Sequence, residues 1–249
     1  MRLLFLAGML IAMPVHAAEC VAQSGAGTTA LVELYTSEGC SSCPPADRWL
    51  SALPKRYAAD RVVPLALHVD YWAYIGWKDP YAKREFSLRQ RKLSQLQRLA
   101  MVYTPQVMLQ GRDFRAWGGR AFDEAVARIN AQPAAARLRL RVLAADAAGL
   151  EVEASAELLQ PAEDAVLYLA AYQSRLESDV AAGENRGRRL SHDYVVLEWQ
   201  GPYAIPGRVA ERRRLGLLPG ATPASSGAAA FVQDRRTGAV LQAVLRSPC

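Results

Sequence analysis

The fold of this chain is decided by the stretch Thr36-Ser37-Glu38-Gly39-Cys40-Ser41-Ser42-Cys43-Pro44-Pro45. An apolar run typical of a buried strand precedes it, and a segment typical of a helix follows it. A Cys-x-x-Cys pair at such a strand-to-helix junction is a common setting for a redox-active dithiol. We therefore expect Cys40 to be the exposed, attacking thiol and Cys43 to be the partly buried, resolving thiol.

The N-terminal residues indicate where this chemistry would take place. Arg2 is followed by an apolar run at residues 3–13, and Val15-His16-Ala17 has small residues where cleavage requires them. The run is too short to span a bilayer, so the pattern predicts a signal peptide at residues 1–17. We expect a periplasmic or secreted protein without a membrane anchor after cleavage. The alternative is an uncleaved anchor or a buried helix.

Cys20 and Cys249 are the other two of the four cysteines. They lie near the two ends of the mature chain, and chain ends are often close together on a domain surface. In an oxidising compartment we expect a structural disulfide between them. The alternative is two free or intermolecular thiols, and a Cα separation above about 7 Å would exclude the disulfide.

The composition indicates a globular protein and argues against a nucleic-acid partner. The chain is 51% hydrophobic and 22% charged, with a formal net charge of +6. Its arginines are dispersed, and the sequence has no basic stripe interleaved with aromatic residues. The partners that we expect are protein thiols or disulfides and a redox partner protein, with no cofactor and no bound metal. The sequence leaves the oligomeric state open.

The hydrophobic pattern changes near residues 133–136, and we place a domain boundary there. Before it, strand and helix patterns alternate, which predicts an α/β domain at residues 18–132. Apolar runs at 30–35 and 62–69 predict buried strands, the second of them central in its sheet. The other segments predict helices at 46–57, 80–99 and 121–130, and a hairpin of strands at 106–109 and 112–117.

After the boundary, short strands separated by turn residues predict an all-β, antiparallel, sandwich-like domain at residues 137–249. The predicted strands lie at 138–142, 150–154, 165–172, 192–199, 228–233 and 239–245. We expect this second domain to position partners of the dithiol.

The segment Val102-Tyr103-Thr104-Pro105 precedes a short strand and is a second candidate part of the site. Because cis peptides belong almost wholly to X-Pro bonds, the Thr104–Pro105 bond is a candidate cis peptide that packs against the disulfide. Its backbone edge could then pair with a substrate peptide as an added strand. The alternative is an ordinary trans proline that opens an edge strand.

Four large aromatic residues lie close together before the helix predicted at 80–99. They are Tyr71, Trp72, Tyr74 and Trp77. Tyr71, Trp72 and Trp77 could form a rim near the dithiol that binds a peptide or an aromatic ligand. The alternative is that these rings form the core of an inserted segment, because aromatic side chains dominate ordinary burial.

Several segments resemble the DUF1223 family, whose members are exported proteins of uncharacterised function. They are Val32-Glu-Leu-Tyr-Thr-Ser-Glu-Gly-Cys-Ser-Ser-Cys-Pro-Pro-Ala-Asp47, Leu67-His-Val-Asp-Tyr-Trp72, Gly76-Trp-Lys-Asp-Pro80, Tyr103-Thr-Pro-Gln106 and Gly183-Glu-Asn-Arg-Gly-Arg-Arg-Leu190. The resemblance implies a thioredoxin-like fold, the Cys-x-x-Cys pair at Cys40 and Cys43, and a cis-proline at Pro105, but no established reaction. The chain departs from ordinary thioredoxins at Gly39, where they usually have tryptophan. It also has a helical, aromatic insertion between residues 69 and 105.

Buried acids and histidines are further candidates. Glu33 lies near the place where thioredoxins keep a buried acid, and the resemblance implies that it relays the proton of the second thiol. The alternative is a carboxylate paired with an arginine. His68 and Asp70 share one side of their strand and could form a metal or acid–base pair, or His68 could be an ordinary core histidine. Glu38 is expected in a loop or capping role, and His192 is expected to be structural.

The leading function is thiol–disulfide exchange on protein substrates. Cys40 and Cys43 are the expected catalytic thiols, Thr104 and Pro105 shape the groove, and Glu33 handles the proton. One alternative is the handling of a soft metal such as Cu(I) by the two thiolates. The other is a binding module in which the disulfide is only structural.

Overall fold

A computed structural model describes residues 20–249. The signal peptide predicted at residues 1–17 lies outside the described residues. Within residues 20–249, no helix is both long and apolar enough to cross a membrane. The described part of the chain is an α/β structure with mixed and antiparallel sheets and few helices.

The helices belong to the first half of the chain. They are α1 (Pro44–Ala52), α2 (Arg84–Leu96) and α3 (Arg120–Asn130), with single 3₁₀ turns at Leu53–Lys55 and Ala73–Ile75. Helix α1 begins with Pro44 and Pro45, which are tolerated there because the first N–H groups of a helix have no partner within it. The helix predicted at 46–57 is therefore α1 followed by a 3₁₀ turn that contains Pro54.

Fourteen strands are present in residues 20–249. They are β1 (Val21–Gln23), β2 (Ala30–Thr36), β3 (Val62–His68), β4 (Gln106–Leu109), β5 (Arg112–Asp113), β6 (Ala136–Asp146), β7 (Gly149–Leu158), β8 (Ala165–Gln173), β9 (Leu176–Asp179), β10 (Arg189–His192), β11 (Val195–Ala204), β12 (Arg208–Gly216), β13 (Ser226–Asp234) and β14 (Val240–Arg246). Every residue of β2 and β3 is buried, which explains why both strands stand out in the sequence as continuous apolar runs.

Eight strands form the main sheet, in the order β14-β13-β8-β11-β3-β2-β4-β5. Strands β2 and β3 are parallel at its centre, and β4 is antiparallel to β2. Helices α1 and α3 cover one face, where Leu50 and Phe122 pack with Leu34. Helix α2 covers the other face, where Phe86 packs with Phe231. The loop that carries the dithiol leaves this sheet at the C-terminal end of β2.

A second sheet, in the order β1-β6-β7-β12, packs against the β8, β13 and β14 part of the main sheet. Its apolar side chains, such as Leu138 and Val152, share a core with Leu167 and Leu169. The two predicted regions are nevertheless joined by one sheet, because β11 pairs with β3 in parallel. The domain boundary near residues 133–136 thus separates two sequence patterns but not two sheets, and it stays a prediction.

Helix α2 begins at Arg84 and not at Pro80 as predicted. The Asp79 carboxylate, next to the predicted start of the helix, accepts hydrogen bonds from the backbone N–H groups of Glu38 and Tyr81. Asp79 is therefore engaged with the dithiol loop and is not available to the first turn of α2.

The sequence pattern does not predict β1, β9, β10 or β12. Strand β12 shows why: it lies at the edge of the second sheet, pairs only with β7, and carries four arginines in nine residues. Exposed and half-buried residues alternate along it, so the apolar signal of a strand is weak.

The two ends of the described chain are tied together. Cys20 and Cys249 form a disulfide with a Cα–Cα distance of 5.5 Å and a sequence separation of 229. The neighbouring strand β1 pairs with β6 of the second sheet. This is the disulfide that the sequence predicts.

Replacing both Cys20 and Cys249 by serine should lower the free energy of unfolding by about 2–4 kcal/mol, because the bridge closes a long loop in the unfolded chain. Urea unfolding of both proteins would measure the difference, with mass spectrometry confirming that the Cys40–Cys43 bridge is intact. An unchanged midpoint would show that the bridge does not stabilise the fold.

Candidate functional site

The dithiol lies in the loop between β2 and α1. Cys43 is the N-cap residue of α1, and Cys40 precedes it by one turn. The two form a disulfide with a Cα–Cα distance of 5.4 Å. The backbone N–H of Cys43 donates to the carbonyl of Cys40 at 3.2 Å, and the Sγ of Cys40 lies 3.3 Å from Oγ of Ser42. Local hydrogen bonds therefore define the turn that holds both sulfurs.

Both cysteines are buried, so the prediction of an exposed Cys40 is wrong. Cys40 is 1% exposed and Cys43 is 0% exposed. The physical reason is a loop from the second half of the chain, residues 180–188 between β9 and β10, which we call the covering loop. It packs on the backbone of the dithiol loop, including the carbonyl of Cys40, and so removes this loop from solvent.

Two side chains of the covering loop bind the dithiol loop directly. The Asn185 Nδ2 donates to the carbonyls of Glu38, at 2.8 Å, and Cys40, at 2.9 Å. The Glu184 Oε2 accepts the backbone N–H of Ser41 at 2.8 Å. These hydrogen bonds, made across more than 140 residues of sequence, hold the cover closed.

Glycine is required where the covering loop meets the inserted segment. Gly183 has a φ of +76°, and a Cβ at this position would lie 2.8 Å from Cδ1 of Ile75. Gly39, on the dithiol loop, is packed against the same segment, because a Cβ there would lie 3.0 Å from Cβ of Trp72. A side chain at either position would push the inserted segment away from the covering loop or the dithiol loop.

The Thr104–Pro105 peptide bond is cis, as predicted. Tyr35 of β2 pairs with Gln106 of β4, so Pro105 lies at the same end of the sheet as the dithiol loop. The Nε1 of Trp72 donates to Oγ1 of Thr104 at 2.8 Å. Trp72 therefore bridges the proline segment and the dithiol loop.

The aromatic residues do not form one rim. Trp77 donates to the Glu38 Oε2 at 2.8 Å, and Tyr74 is 80% exposed and stacks on Trp72. Tyr71 donates to Oε1 of Gln90 on α2 and packs in the core on the α2 side of the sheet. Trp72 and Trp77 thus lie at the dithiol loop, whereas Tyr71 belongs to the core of the inserted segment.

A set of five buried titratable side chains lies behind the dithiol loop, and we call it the acid–histidine cluster. Its members are Glu38, Asp47, His68, Asp79 and His192, each at most 6% exposed. Nδ1 of His68 lies 2.7 Å from the Asp79 Oδ2, and Nε2 of His192 lies 3.1 Å from the Glu38 Oε1. The two imidazole rings meet edge to face at 4.9 Å. His68 therefore pairs with Asp79 and not with Asp70.

Asp47 connects this cluster to the helix of the dithiol. Its backbone N–H donates to the carbonyl of Cys43 at 3.1 Å, and its Oδ1 accepts Oγ1 of Thr36 at 2.8 Å. The Oδ2 lies 3.9 Å from Nδ1 of His192. Nδ1 of His192 and Nε2 of His68 are buried without a hydrogen-bond partner in residues 20–249. His68 thus has one nitrogen free to gain or lose a proton.

Burial and neighbouring charges set the pKa values in the cluster. Burial by itself would lower the pKa of His68, but the carboxylates around it, above all Asp79, raise it above its usual 6.5. Burial by itself would raise the pKa of Asp79, but His68 and two backbone N–H groups lower it below 3.8. Burial raises the pKa of Asp47, and the two histidines offset only part of this. The cluster thus combines a charged His68–Asp79 pair with a carboxyl group that holds its proton more tightly.

Glu33 lies apart from this cluster. It is buried in β2 and makes a bidentate ion pair with Arg89 of α2, with N–O distances of 2.6 and 3.1 Å. Its neighbours in β2, Val32 and Leu34, pack in the core of α1. Because successive residues of a strand point to opposite faces, Glu33 faces away from α1 and the dithiol. This is the arginine pairing that the sequence left as the alternative to a proton relay.

The sequence therefore singles out several residues that the structure brings together. These are Cys40, Cys43, Trp72, Trp77, Thr104 and Pro105. It gives no role to Asn185, Glu184 or Asp47, and it assigns His192 to structure alone. The only signal for the covering loop is the segment 183–190, which resembles the family without indicating a contact.

A family model described as "Protein of unknown function (DUF1223)" matches residues 31–233. This chain belongs to the DUF1223 family. The match includes the dithiol loop, the Thr104–Pro105 segment and the covering loop, so both sides of the closed site lie within the part that defines DUF1223.

Two solved structures resemble this DUF1223 chain. A crystal structure of a protein from Agrobacterium tumefaciens is 26% identical, with a TM-score of 0.66, over 90% of this chain and 96% of that one. HBP35 of Porphyromonas gingivalis is 14% identical, with a TM-score of 0.66, over 90% of this chain and 76% of that one. The second likeness shows a shared fold alone. No curated protein matches the sequence.

The described residues of this DUF1223 protein do not show a metal centre. Among residues 20–249, no group of three or more His, Cys, Asp or Glu side chains is arranged to hold a metal ion. The acid–histidine cluster instead pairs its groups with one another and with backbone N–H groups. Its arrangement suits the holding and transfer of protons.

Substituting Asp79 by asparagine should lower the free energy of unfolding by about 3–5 kcal/mol, because it leaves the His68 charge buried without its partner. The raised pKa of His68 adds stability that is complete below 6.5 and lost as the pH rises through its folded pKa. The lowered pKa of Asp79 adds stability above 3.8 that is lost as the pH falls through its folded pKa. The loss of stability in the variant should therefore be largest between pH 3.8 and pH 6.5, where both contributions are present.

Urea unfolding of both proteins across that pH range would measure the loss. Asp60→Asn, which removes an exposed carboxylate from the same half of the chain, is the matched control. A loss that does not change with pH would mean that the pair is not charged in the folded protein.

Proposed function

We propose that this DUF1223 protein is an exported, thioredoxin-like thiol–disulfide oxidoreductase that acts on protein substrates. The observation that carries the proposal is the Cys40–Cys43 disulfide at the junction of β2 and α1, directly in front of buried groups that can exchange protons. The order strand, helix, strand, helix, two strands and helix from β2 to α3 supports the thioredoxin-like assignment. The Thr104–Pro105 segment beside the loop would offer a backbone edge to an extended substrate.

The reaction needs only the two thiols and a substrate disulfide. In the reduced protein the thiolate of Cys40 attacks one substrate sulfur, forms a mixed disulfide and releases the other substrate sulfur as a thiolate, which takes up a proton. The thiolate of Cys43 then attacks Cys40, restores the Cys40–Cys43 disulfide and releases the second substrate thiol. Two electrons and two protons pass from the dithiol to the substrate. Asp47, whose backbone N–H donates to the carbonyl of Cys43, is the candidate acceptor for the proton of Cys43.

The surroundings of Cys40 favour the disulfide over the thiolate. Oγ of Ser42 is a hydrogen-bond donor for the sulfur, but Pro44 and Pro45 remove two N–H groups from the first turn of α1. The carboxylate of Glu184, bound to the adjacent Ser41, opposes a negative charge at the sulfur. Because a less stable thiolate makes the disulfide harder to reduce, we expect the Cys40–Cys43 pair to act as a reductant and not as a strong oxidant.

One observation favours a second candidate function. Both sulfurs are buried, which would also suit a binding protein in which the Cys40–Cys43 bridge is only structural. The two functions differ in reduction potential. A catalytic pair lies at about −120 to −270 mV, whereas structural disulfides typically lie below about −300 mV.

The potential should therefore lie near the reducing end of the catalytic range, at about −200 to −270 mV. Equilibration with glutathione, followed by thiol trapping and mass spectrometry, would measure it. The Cys43→Ser variant should accumulate a mixed disulfide with a model protein substrate, since its Cys40 can attack but no thiol can resolve the product. The Cys40→Ser variant is the control and should form none. A potential below about −300 mV, with no trapped complex, would leave the structural bridge as the better account.

The covering loop gives a separate prediction. Because Asn185→Ala removes two hydrogen bonds of about 1 kcal/mol each, it should speed reduction of the Cys40–Cys43 bridge by a phosphine reductant at least about fivefold. Glu184→Gln should act in the same direction. The bond to Ser41 lowers the pKa of Glu184, so this contact stabilises the closed form above 4.5 and is lost as the pH falls through the folded pKa.

The matched control is Glu177→Gln, which removes a carboxylate of the same hairpin that pairs with Arg189 away from the dithiol. It should leave the rate of reduction unchanged. Equal rates in all four proteins would show that the covering loop does not limit access to the sulfurs.

A further inference from the structure

A cavity of about 470 Å³ opens on the α2 side of the main sheet, where no residue of the dithiol loop or the covering loop contributes. One side of it is formed by α2, with Leu88 at the mouth. The other side is formed by Tyr168 of β8, Trp199 of β11 and Pro202. Its volume falls within the roughly 300–1,000 Å³ of small-molecule sites, which are mostly apolar with a few placed polar groups.

Large apolar groups remain open to this cavity. Leu88 is 54% exposed, one of few large hydrophobic side chains so exposed in the described residues. The rings of Tyr168 and Trp199 are half-buried and lie 5.3 Å apart, between centroids. An exposed leucine opposite two aromatic faces favours a flat apolar body between them.

The most firmly held polar group of the cavity is Arg89. Its guanidinium lies 4.5 Å from the ring centroid of Trp199 and 5.3 Å from that of Tyr168. It donates two hydrogen bonds to Glu33 and one to Oε1 of Gln233. A guanidinium has five N–H groups, so two remain without a partner in residues 20–249. Arg89 is thus held rigidly by a buried anion while it keeps donors for another one.

Charge at the mouth also favours an anion. Lys92 and Arg235 line the cavity, and Glu85 is the one acidic residue among its described lining. Arg235 pairs with Asp164 outside the cavity, whereas Lys92 is exposed three residues after Arg89 on α2.

We propose that this cavity binds a small amphipathic molecule with a flat apolar body and one carboxylate. The body lies between Leu88 and the rings of Tyr168 and Trp199. The carboxylate accepts the free N–H groups of Arg89, with Lys92 nearby. The site is independent of the dithiol and does not rest on the thiol–disulfide function.

Isothermal titration calorimetry with naphthoate and with the uncharged naphthylmethanol would test the proposal on the full mature protein. Naphthoate should bind at least about tenfold more tightly, because only it accepts charge-assisted hydrogen bonds. Leu88→Trp, which fills the mouth of the cavity, should abolish binding of both compounds. Lys92→Gln should weaken the binding of naphthoate but not that of naphthylmethanol. Arg91→Gln, at the preceding residue of α2, is the matched control because Arg91 does not line the cavity.

Arg89→Lys would remove the guanidinium group directly, but it would also disturb the buried pair with Glu33. The test therefore relies on Leu88→Trp and Lys92→Gln. Thermal unfolding would confirm that both variants are folded. Equal affinity for the two compounds would show that the cavity does not recognise a carboxylate. An absence of binding up to about 1 mM, or naphthoate binding that survives Leu88→Trp, would overturn the site.

Discussion

The buried carboxylate of Glu38 is the contact on which the geometry of the dithiol loop depends. Its oxygens accept hydrogen bonds from Trp77 and pair with His192, its backbone N–H donates to Asp79, and its carbonyl accepts Asn185. A carboxylate that is 0% exposed would be strongly destabilising without such partners. Because those partners come from the inserted segment, from β10 and from the covering loop, the dithiol loop takes this form only when both halves of the chain are packed together.

The two faces of the main sheet bury charge in different ways. On the α2 face, Glu33 and Arg89 neutralise each other in a bidentate ion pair. On the α1 face, His68 and His192 share a space with carboxylates, and within residues 20–249 each has one imidazole nitrogen that makes no hydrogen bond. The first arrangement holds the sheet to α2, whereas the second can change its proton content. The acid that sequence reasoning favours, Glu33, is thus on the face that does not reach the sulfurs.

The elements that can be predicted from sequence are those whose signal is local. Strand β2 and strand β3 are buried on both faces, so continuous apolar runs mark them within one residue of their ends. The Cys-x-x-Cys turn and the cis Thr104–Pro105 bond are also short motifs. The edge strand β12 is not predictable in this way, because its arginines face solvent. The burial of Cys40 is harder still, since it depends on Asn185, which lies 145 residues away, and no periodicity reports such a contact.

Under the proposed function, the covering loop would link access to the dithiol with its reactivity. In the closed form, Asn185 holds the carbonyl of Cys40 and Glu184 holds the N–H of Ser41, so the sulfur is hidden and a carboxylate lies beside it. Displacement of the loop would expose the sulfur and remove that carboxylate in the same movement. Ser42 would remain as a donor, so the Cys40 thiolate would be better stabilised in the open form than in the closed one. A substrate that displaces the loop would therefore reach the thiol in its more reactive state, whereas a small oxidant in solution would meet the protected one.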